Sequence, residues 1–331
     1  MNLKDDIKSA FIHKNIVNKI YKSNFSNRST LSIVSEIEEL IKNECKDESI
    51  NNGIAFPVNI CLNECIAHDT PLNHNIIVKD GYLLKIDFGV HINGHITDSA
   101  FTIPINTTKF DELIHISKRA TTIGVEECGV DVLLSDIGKV IEEYILSKEI
   151  EINGTLFPIK NIKDLCGHSI APYIVHSGKA VPNCKIDFNY PLRMAIGEKY
   201  AIEPFVTTGT GVCIYDDENV NHFMLKGNNN YNYNYNKNKS QFNQNQKNLY
   251  QEINAYYKSL PFTHRWILEN SKSNYNDSSI LINDLNILHK YDIIEKYPPI
   301  YDVKGSYVAH HEHNVLITDK GKIWLTKNNY Y

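Results

Sequence analysis

The sequence of 331 residues lacks several features that would indicate particular classes of protein. No uninterrupted apolar run reaches the roughly 20 residues that a membrane-spanning helix needs. The seven cysteines are an odd number without a Cys-x-x-Cys pair, which argues against both a disulfide framework and a thiolate zinc site. We therefore expect a protein without a membrane anchor or disulfides, in a reducing compartment.

Excess positive charge is absent as well. The net charge is −5 and the isoelectric point is near 6.3, so the chain has no overall basic footprint for nucleic acid. The amino terminus carries Lys4, Asp5 and Asp6 where a signal peptide would need an apolar run. These features predict a cytoplasmic protein that does not bind nucleic acid directly.

Apolar residues make up 42% of the chain, enough to bury a full core in one large domain or in two closely packed halves. Apolar spacing predicts helices at 4–22, 29–41, 110–124 and 136–148, and extended segments around 85–101, 157–174 and 199–206. The same order, helices first and strands second, occurs twice. It predicts an α+β fold of two structurally related halves with antiparallel sheets.

The composition changes at Gly227. Residues 228–248 are mostly Asn with Tyr, Lys and Gln, so we predict a disordered surface loop at 227–248. Helical spacing then returns over 249–288, and residues 225–296 are predicted to be a helical insertion within a single domain spanning 1–331. The predicted core positions of this insertion are Trp266, Ile267, Ile280, Leu281, Leu285 and Leu288. Strands are expected to resume at 306–318 and 322–326.

The most informative segment is a predicted hairpin around Asn93-Gly94, a dipeptide suited to a two-residue turn. This turn places Gly89 across from Asp98, so Asp87 and Asp98 project from one face as diagonal neighbours about 7–8 Å apart at the backbone. Because Gly89 has no side chain, we expect room for an ion beside the two carboxylates. The alternative is that the hairpin lies on the surface and both aspartates are solvated. Without further residues, the hairpin pattern favours this alternative over a metal site.

Three more chemically active side chains occupy strand-like segments. His168 lies in 166–170, although a lone histidine is more often structural or solvated. Glu203 lies in an apolar strand, where a carboxylate is costly to bury unless it is paired or bound to metal. Glu312 lies in the run His310-His311-Glu312-His313, which could instead be a chance metal-binding patch on the surface.

Together these residues suggest a ligand set for two divalent ions. Hard or borderline divalent ions prefer carboxylate oxygen, and imidazole is accepted by cobalt, manganese, iron and zinc. A pair of ions about 3.5–4 Å apart lowers the pKa of bound water and polarises a carbonyl. Such a site suits amide hydrolysis without a protein nucleophile. The set is Asp87, Asp98, His168, Glu203 and Glu312.

Several separated motifs resemble those of the methionine aminopeptidases, closest to type 2, over nearly the whole chain. They are Gly-Ile-Ala-Phe-Pro at 53–57 with His68 twelve residues after Phe56, the Asp87/Asp98 hairpin, Gly-His-Ser at 167–169, His-Ser-Gly-Lys at 176–179, Ile-Glu-Pro at 202–204, and Lys-Gly-Ser-Tyr at 304–307 before Glu312. The resemblance implies the pita-bread fold, with two pseudo-symmetric α+β halves around a curved antiparallel sheet. The insertion at 225–296 matches the type 2 subdomain.

The resemblance also implies roles for the ligand set. Asp87 would chelate one ion, Asp98 and Glu312 would bridge both, and His168 with Glu203 would complete the second site. A metal-bridging hydroxide would be the nucleophile, and Glu203 would also be the general base.

Further residues would act on the substrate by the same resemblance. His176 would polarise the scissile carbonyl or stabilise the oxyanion, and His68 would contact the substrate near its amino terminus. A pocket for the methionine side chain would be lined by Phe56, Val175, His222 and Tyr297. Simple core packing is the alternative for these pocket residues, and for Phe56 and Val175 it is almost equally favoured.

The implied activity is removal of the first methionine from nascent chains with a small second residue. Two alternatives share the fold: an X-Pro aminopeptidase or prolidase, and a non-catalytic proliferation-associated protein that has lost its metal ligands. The 53–57 motif, His68 and the insertion favour methionine removal. The expected partners are nascent amino termini. We also expect a monomer. Ribosome association is expected to be weak at most, because the chain begins almost at the catalytic domain.

Overall fold

The computed structural model describes residues 3–46, 50–71, 76–227, 230–270, 275–328 and 330. The helices are α1 Leu3–Ile20, α2 Thr30–Cys45, α3 Asp111–Glu127, α4 Leu134–Leu146, α5 Asn230–Asn238, α6 Gln244–Tyr256, α7 His264–Glu269 and α8 Ser278–Lys290, with a 3-10 turn at Lys239–Gln241. The strands are β1 Asn52–Leu62, β2 Cys65–Ala67, β3 Leu83–Ile92, β4 His95–Pro104, β5 Glu149–Ile152, β6 Thr155–Pro158, β7 Lys160–Asn161, β8 Cys166–Ile170, β9 Ala180–Pro182, β10 Lys199–Ile202, β11 Phe205–Thr207, β12 Ile214–Tyr215, β13 His222–Leu225, β14 Phe262–Thr263, β15 Ile294–Tyr297, β16 Ile300–Tyr301, β17 Val308–His310, β18 His313–Thr318 and β19 Gly321–Trp324.

The first half packs α1 and α2 on the antiparallel sheet β1-β3-β4. The helix α2 begins where the sequence predicts, because the Ser29 hydroxyl accepts a hydrogen bond from the Ser32 N–H at 3.1 Å. Apolar residues repeat along α2 with helical spacing and share one buried cluster with Ile86 and Phe88 of the sheet. One face of the β3–β4 hairpin is therefore packed against the helices.

The β3–β4 hairpin confirms the predicted turn and register. Asn93 and Gly94 both have positive φ, as the two-residue turn requires, and Gly89 pairs with Asp98. The expected room beside Gly89 is not there, however. A Cβ at this position would lie 2.3 Å from Cε1 of Phe56, so the ring of Phe56 fills the space that the glycine leaves.

The second half repeats the order of the first, with α3 and α4 against the five-stranded sheet β19-β18-β10-β8-β9. The two halves meet where β4 lies beside the start of β18. There the Asp98 N–H donates to Oδ1 of Asn314 at 2.7 Å, and the Glu312 N–H donates to the Ala100 carbonyl at 2.9 Å. Backbone and amide hydrogen bonds therefore connect the two halves directly at their junction.

The predicted loop at 227–248 is wrong over most of its length, while 228 and 229 lie outside the described residues. Residues 230–256 instead form α5, the 3-10 turn and α6. Tyrosines among the asparagines provide the reason: Tyr235 is buried and stacks on Tyr250 with ring centroids 3.6 Å apart. Asn243 and Gln246 then form a capping box that starts α6.

The remaining helices of the insertion pack on one cluster with β13, β14 and β15. Ile267, Leu281, Leu285 and Leu288 are buried there, as predicted, and Trp266 packs at its edge. Ile280 is 52% exposed, so its predicted core position is wrong. It lies on the outer side of α8, one residue before the buried Leu281.

The seven cysteines are free thiols. Within the described ranges, none of the helices combines the length and apolar character needed to cross a lipid bilayer.

Candidate metal centre and substrate cavity

A cavity of about 200 Å³ lies where the two sheets meet, and the structure brings all the predicted site residues to its walls. The five predicted metal ligands come from separate places: β3, β4, β8, the end of β10, and the turn between β17 and β18. The lining residues predicted from the sequence are Phe56, His68, Asp87, Asp98, His168, Val175, His176, Glu203, His222, Tyr297 and Glu312.

Among the described residues, two groups of potential ligand atoms share Glu312, and Asp87 belongs to neither group. One is Asp98, His168 and Glu312, and the other is Glu203, His310 and Glu312; within each group the donor atoms lie within 4.8 Å of one another. His168 Nε2 is 3.6 Å from Asp98 Oδ2 and 3.2 Å from Glu203 Oε1. Burial lowers the pKa of His168 to about 4, so its imidazole is neutral and able to coordinate a metal.

The four carboxyl groups are held in an unfavourable environment for negative charge. Burial raises the pKa of Asp87 to about 7 and that of Glu203 to about 8. The pKa values of Asp98 and Glu312 lie well above the ordinary range, first because of burial and then because the neighbouring carboxylates repel each other.

This environment fits divalent cations. Oδ1 of Asp87 and Oε1 of Glu312 are buried and have no hydrogen-bond partner among the described residues. Bound cations would stabilise the ionised carboxylates and supply the missing partners of these oxygens. The oxygen-rich donor set with neutral imidazole suits cobalt, manganese, iron or zinc. The residues present therefore fit a metal centre.

Asn59 belongs to the site although the sequence did not indicate it. It lies on β1 directly across from Asp87, and its Nδ2 donates to Asp87 Oδ2 at 3.0 Å. This hydrogen bond orients the carboxylate so that Oδ1 remains available. A prediction of how β1 pairs with β3 would have placed Asn59 opposite Asp87 and so identified it.

The run 310–313 is not a surface patch, which corrects that alternative. His310, His311, Glu312 and His313 are each at most 3% exposed. His311 Nδ1 lies 2.9 Å from Ser117 Oγ, and His313 Nδ1 lies 2.8 Å from Thr326 Oγ1. These two imidazoles have structural partners, whereas His310 Nε2 lies 3.8 Å from Glu203 Oε2.

A cluster of rings also lines the cavity. His68 lies edge-on to both His222 and Tyr297, with centroid distances of 5.7 and 5.5 Å. His176 lies edge-on to His168 at 4.4 Å and 6.2 Å from Tyr297. Burial lowers the pKa of His68 to about 4 and that of His176 to about 3, so both imidazoles are neutral near pH 7.

Two of these rings come from the ends of the insertion. His222 begins β13, Tyr297 ends β15, and the two residues pair directly. The chain thus leaves the cavity wall, forms the helical insertion and returns to the same wall. Phe56 and Val175 line the cavity and also belong to one buried apolar cluster, so the structure supports both interpretations of these two residues.

Comparison with known proteins agrees with this geometry. Residues 7–223 match the model of metallopeptidase family M24. The fold and its buried carboxylate cluster are those of a metallopeptidase, and the chain belongs to family M24. Within the family it groups with the type 2 methionine aminopeptidases: it is 37% identical over 328 residues to methionine aminopeptidase 2 of Candida dubliniensis, covering 98% of this chain and 69% of the relative.

Solved structures share the fold at low sequence identity. A thermophilic Arx1 has a TM-score of 0.80 at 13% identity, covering 99% of this chain and 91% of that one. Methionine aminopeptidase of Rickettsia prowazekii has a TM-score of 0.64 at 15% identity, covering 97% of this chain and 95% of that one. These likenesses, with the family match, confirm the predicted pita-bread fold.

Proposed function

We propose that this metallopeptidase removes the amino-terminal methionine from peptides and nascent proteins whose second residue is small. The observation that carries the proposal is the cavity itself: four buried carboxylates and the neutral imidazole of His168 line it together with His68, His176 and Tyr297. Membership of the type 2 methionine aminopeptidases supports the choice of substrate over X-Pro peptides. The full ligand set argues against a non-catalytic binding protein.

Two divalent ions would be held by Asp87, Asp98, His168, Glu203 and Glu312. When bound, such a pair lowers the pKa of water and polarises the scissile carbonyl. The five side chains reach the cavity from both halves of the fold, so the halves must be correctly joined for the site to exist. Asn59 keeps Asp87 oriented through its hydrogen bond.

Glu203 would act as the general base. Its carboxylate would take the proton of the attacking water and deliver it to the departing amine nitrogen. Burial favours the protonated form of Glu203, and bound cations would favour the ionised form. The group is therefore poised to accept a proton and to give it back within one catalytic cycle.

His176 and His68 would act on the peptide. A neutral imidazole carries one N–H, so His176 can donate a hydrogen bond to the carbonyl oxygen as negative charge develops on it. His68 lies beside His222 and Tyr297 and would contact the substrate near its amino terminus. The methionine thioether would pack against Phe56, Val175, His222 and Tyr297, because sulfur makes favourable contacts with aromatic rings.

The proposal is tested by turnover of three peptides, with metal content measured on the same sample. Met-Ala-Ser should be cleaved, Met-Leu-Ser should be cleaved much more slowly because its second side chain is large, and an X-Pro peptide should not be cleaved. Removal of metal with a chelator should abolish turnover, and added divalent ion should restore it. Preferential cleavage of the X-Pro peptide would overturn the choice of substrate.

We further propose that the protein is a cytoplasmic monomer that meets its substrates as they are synthesised, with at most weak ribosome association. Sedimentation of the purified protein tests the monomer. Co-sedimentation with ribosomes at low and moderate salt tests the association, and stable binding at moderate salt would contradict it.

A further inference from the structure

The buried histidine His310 belongs to one of the two donor groups but has no role in the mechanism proposed above, and its surroundings indicate one. Its Nε2 is buried and has no hydrogen-bond partner among the described residues. The same atom lies 3.8 Å from Glu203 Oε2, too far for a hydrogen bond. An imidazole nitrogen buried beside a carboxylate without bonding to it lacks the compensation that such burial requires.

The position of the ring is fixed by its neighbours. His310 ends β17 directly across from Phe205, and the two rings stack with centroids 3.8 Å apart. Its backbone N–H donates to Thr102 Oγ1 at 2.8 Å, and the Thr102 hydroxyl donates to the His310 carbonyl at 2.7 Å. The ring therefore faces the carboxylates because packing and hydrogen bonds hold it there.

We propose that His310 is a second imidazole ligand of the metal centre, on the ion held by Glu203 and Glu312. The inference rests on the proposed two-metal function. Two ligand atoms each about 2.1 Å from a shared ion can lie up to about 4.2 Å apart, and the 3.8 Å between His310 Nε2 and Glu203 Oε2 is within that limit. The potential ligand atoms of His310, Glu203 and Glu312 also lie within 4.8 Å of one another.

With His310 included, each donor group contains one histidine, His168 in the first and His310 in the second. Imidazole favours zinc, cobalt and iron over ions that prefer oxygen, such as manganese. Coordination needs an imidazole nitrogen that is free to face the ion, and Nε2 of His310 has no hydrogen-bond partner among the described residues. The ion held by Glu203, Glu312 and His310 should therefore be one that binds nitrogen ligands well.

The test compares the intact protein with His310→Gln and with a control, His311→Gln. The control removes the neighbouring imidazole, which lies near Ser117 rather than the carboxylates. Each protein is stripped of metal and titrated by calorimetry with cobalt and with manganese, and its thermal unfolding is measured. His310→Gln should weaken binding of one of two cobalt equivalents by at least about tenfold, with a smaller effect on manganese. His311→Gln should lower stability without that loss.

Equal binding of two cobalt equivalents by His310→Gln and the intact protein would overturn the inference. Loss of turnover without loss of cobalt affinity would also overturn it, because His310 would then act on the substrate instead. If the intact protein cleaves Met-Ala-Ser and holds two ions while the variant is unchanged, only this inference fails. If the intact protein binds no divalent ion, the proposed function fails with it.

A measurement on the unaltered protein covers the case in which His310→Gln does not fold. With its histidines labelled with ¹⁵N, the protein is loaded with zinc, which is diamagnetic, and the imidazole nitrogens are followed by NMR. Two imidazole nitrogens should move to positions typical of metal coordination as two equivalents of zinc are added. A single shifted nitrogen would leave His168 as the histidine ligand and would overturn the inference.

Discussion

The guanidinium Nη2 of Arg265 lies 2.5 Å from Oε1 of Glu38, which joins the helical insertion to α2 in the first half of the molecule. Both side chains are at most 5% exposed. The same carboxylate oxygen accepts a hydrogen bond from Trp266 Nε1 at 3.0 Å. Because His222 and Tyr297 of the cavity directly flank the insertion, this contact helps to position them from a distance.

Replacing Arg265 with Met should lower the free energy of unfolding by about 3–5 kcal/mol, because it leaves the Glu38 carboxylate buried without its oppositely charged partner. Urea unfolding monitored by tryptophan fluorescence measures the change. The double variant Glu38→Leu, Arg265→Met is the control, since it removes both charges and should regain much of the loss. A single variant no less stable than the double variant would contradict the importance of the pair.

Replacing Glu203 with Gln should reduce turnover of Met-Ala-Ser by about 10²–10⁴-fold, because an amide cannot take the proton of the attacking water. Thermal unfolding should show that the variant is folded. Asp164→Asn is a suitable control, since Asp164 lines the same cavity without belonging to either donor group. Near-normal turnover by Glu203→Gln would show that another group is the base.

Replacing His176 with Ala should reduce turnover by about 10²–10³-fold, because it removes a donor aimed at the developing oxyanion. Metal content should change little, since the proposed role of His176 is on the substrate. Both quantities are measured on one preparation. If the variant instead loses most of its metal while its turnover per bound metal stays close to normal, His176 is a metal ligand.

Replacing Gly89 with Ala should destabilise the protein by about 1–3 kcal/mol, because the new methyl group would meet the Phe56 ring and Ala55. Turnover should also fall, since Phe56 lines the cavity. Gly227→Ala is a matched control, because, apart from its chain neighbours, no atom of the described residues lies within 4 Å of a Cβ at that position. Equal stability of the two variants in urea unfolding would show that Phe56 moves aside at little cost.

The parts of the fold that could be predicted are those set by local patterns. The Asn93-Gly94 turn fixes its own register through the positive φ angles of its residues, and the strict alternation of β3 then places Asp87 and Asp98 on one face. The Ser29 cap of α2 is equally local. The ligand set was suggested by four carboxylates and a histidine in strand-like segments, whereas the roles of the ligands and the substrate-contacting residues followed from motif resemblance. The structure brings all of these residues to one cavity.

The parts that could not be predicted depend on contacts between distant segments. The helix at 230–238 is too polar to be predicted from composition, and it exists because Tyr235 packs against Tyr250. Asn59 faces Asp87 only after register shifts in β1 at Ile54/Phe56 and Phe56/Asn59, which break simple alternation. The burial of His310 requires β17 to pair with β11.

Lowering the pH should destabilise the protein partly through His13 of α1. His13 is fully buried, stacks on Phe88 at 4.2 Å, and has its pKa lowered by burial to about 3. The folded state therefore disfavours the imidazolium, and the unfolded chain binds the extra proton below about pH 6.5. The contribution of His13 to stability is complete above that pH and falls by about 1.4 kcal/mol per unit as the pH drops toward 3.

His13→Phe keeps a stacked ring but removes the titrating group, so its loss of stability between pH 7.5 and 5.5 should be smaller than that of the unaltered protein by about 1 kcal/mol. Urea unfolding at the two pH values measures the difference. Phe88→Leu is the control, because it weakens the packing around His13 but keeps the imidazole, and it should lower stability at both pH values. An identical pH dependence in His13→Phe and the unaltered protein would mean that other groups account for the acid sensitivity.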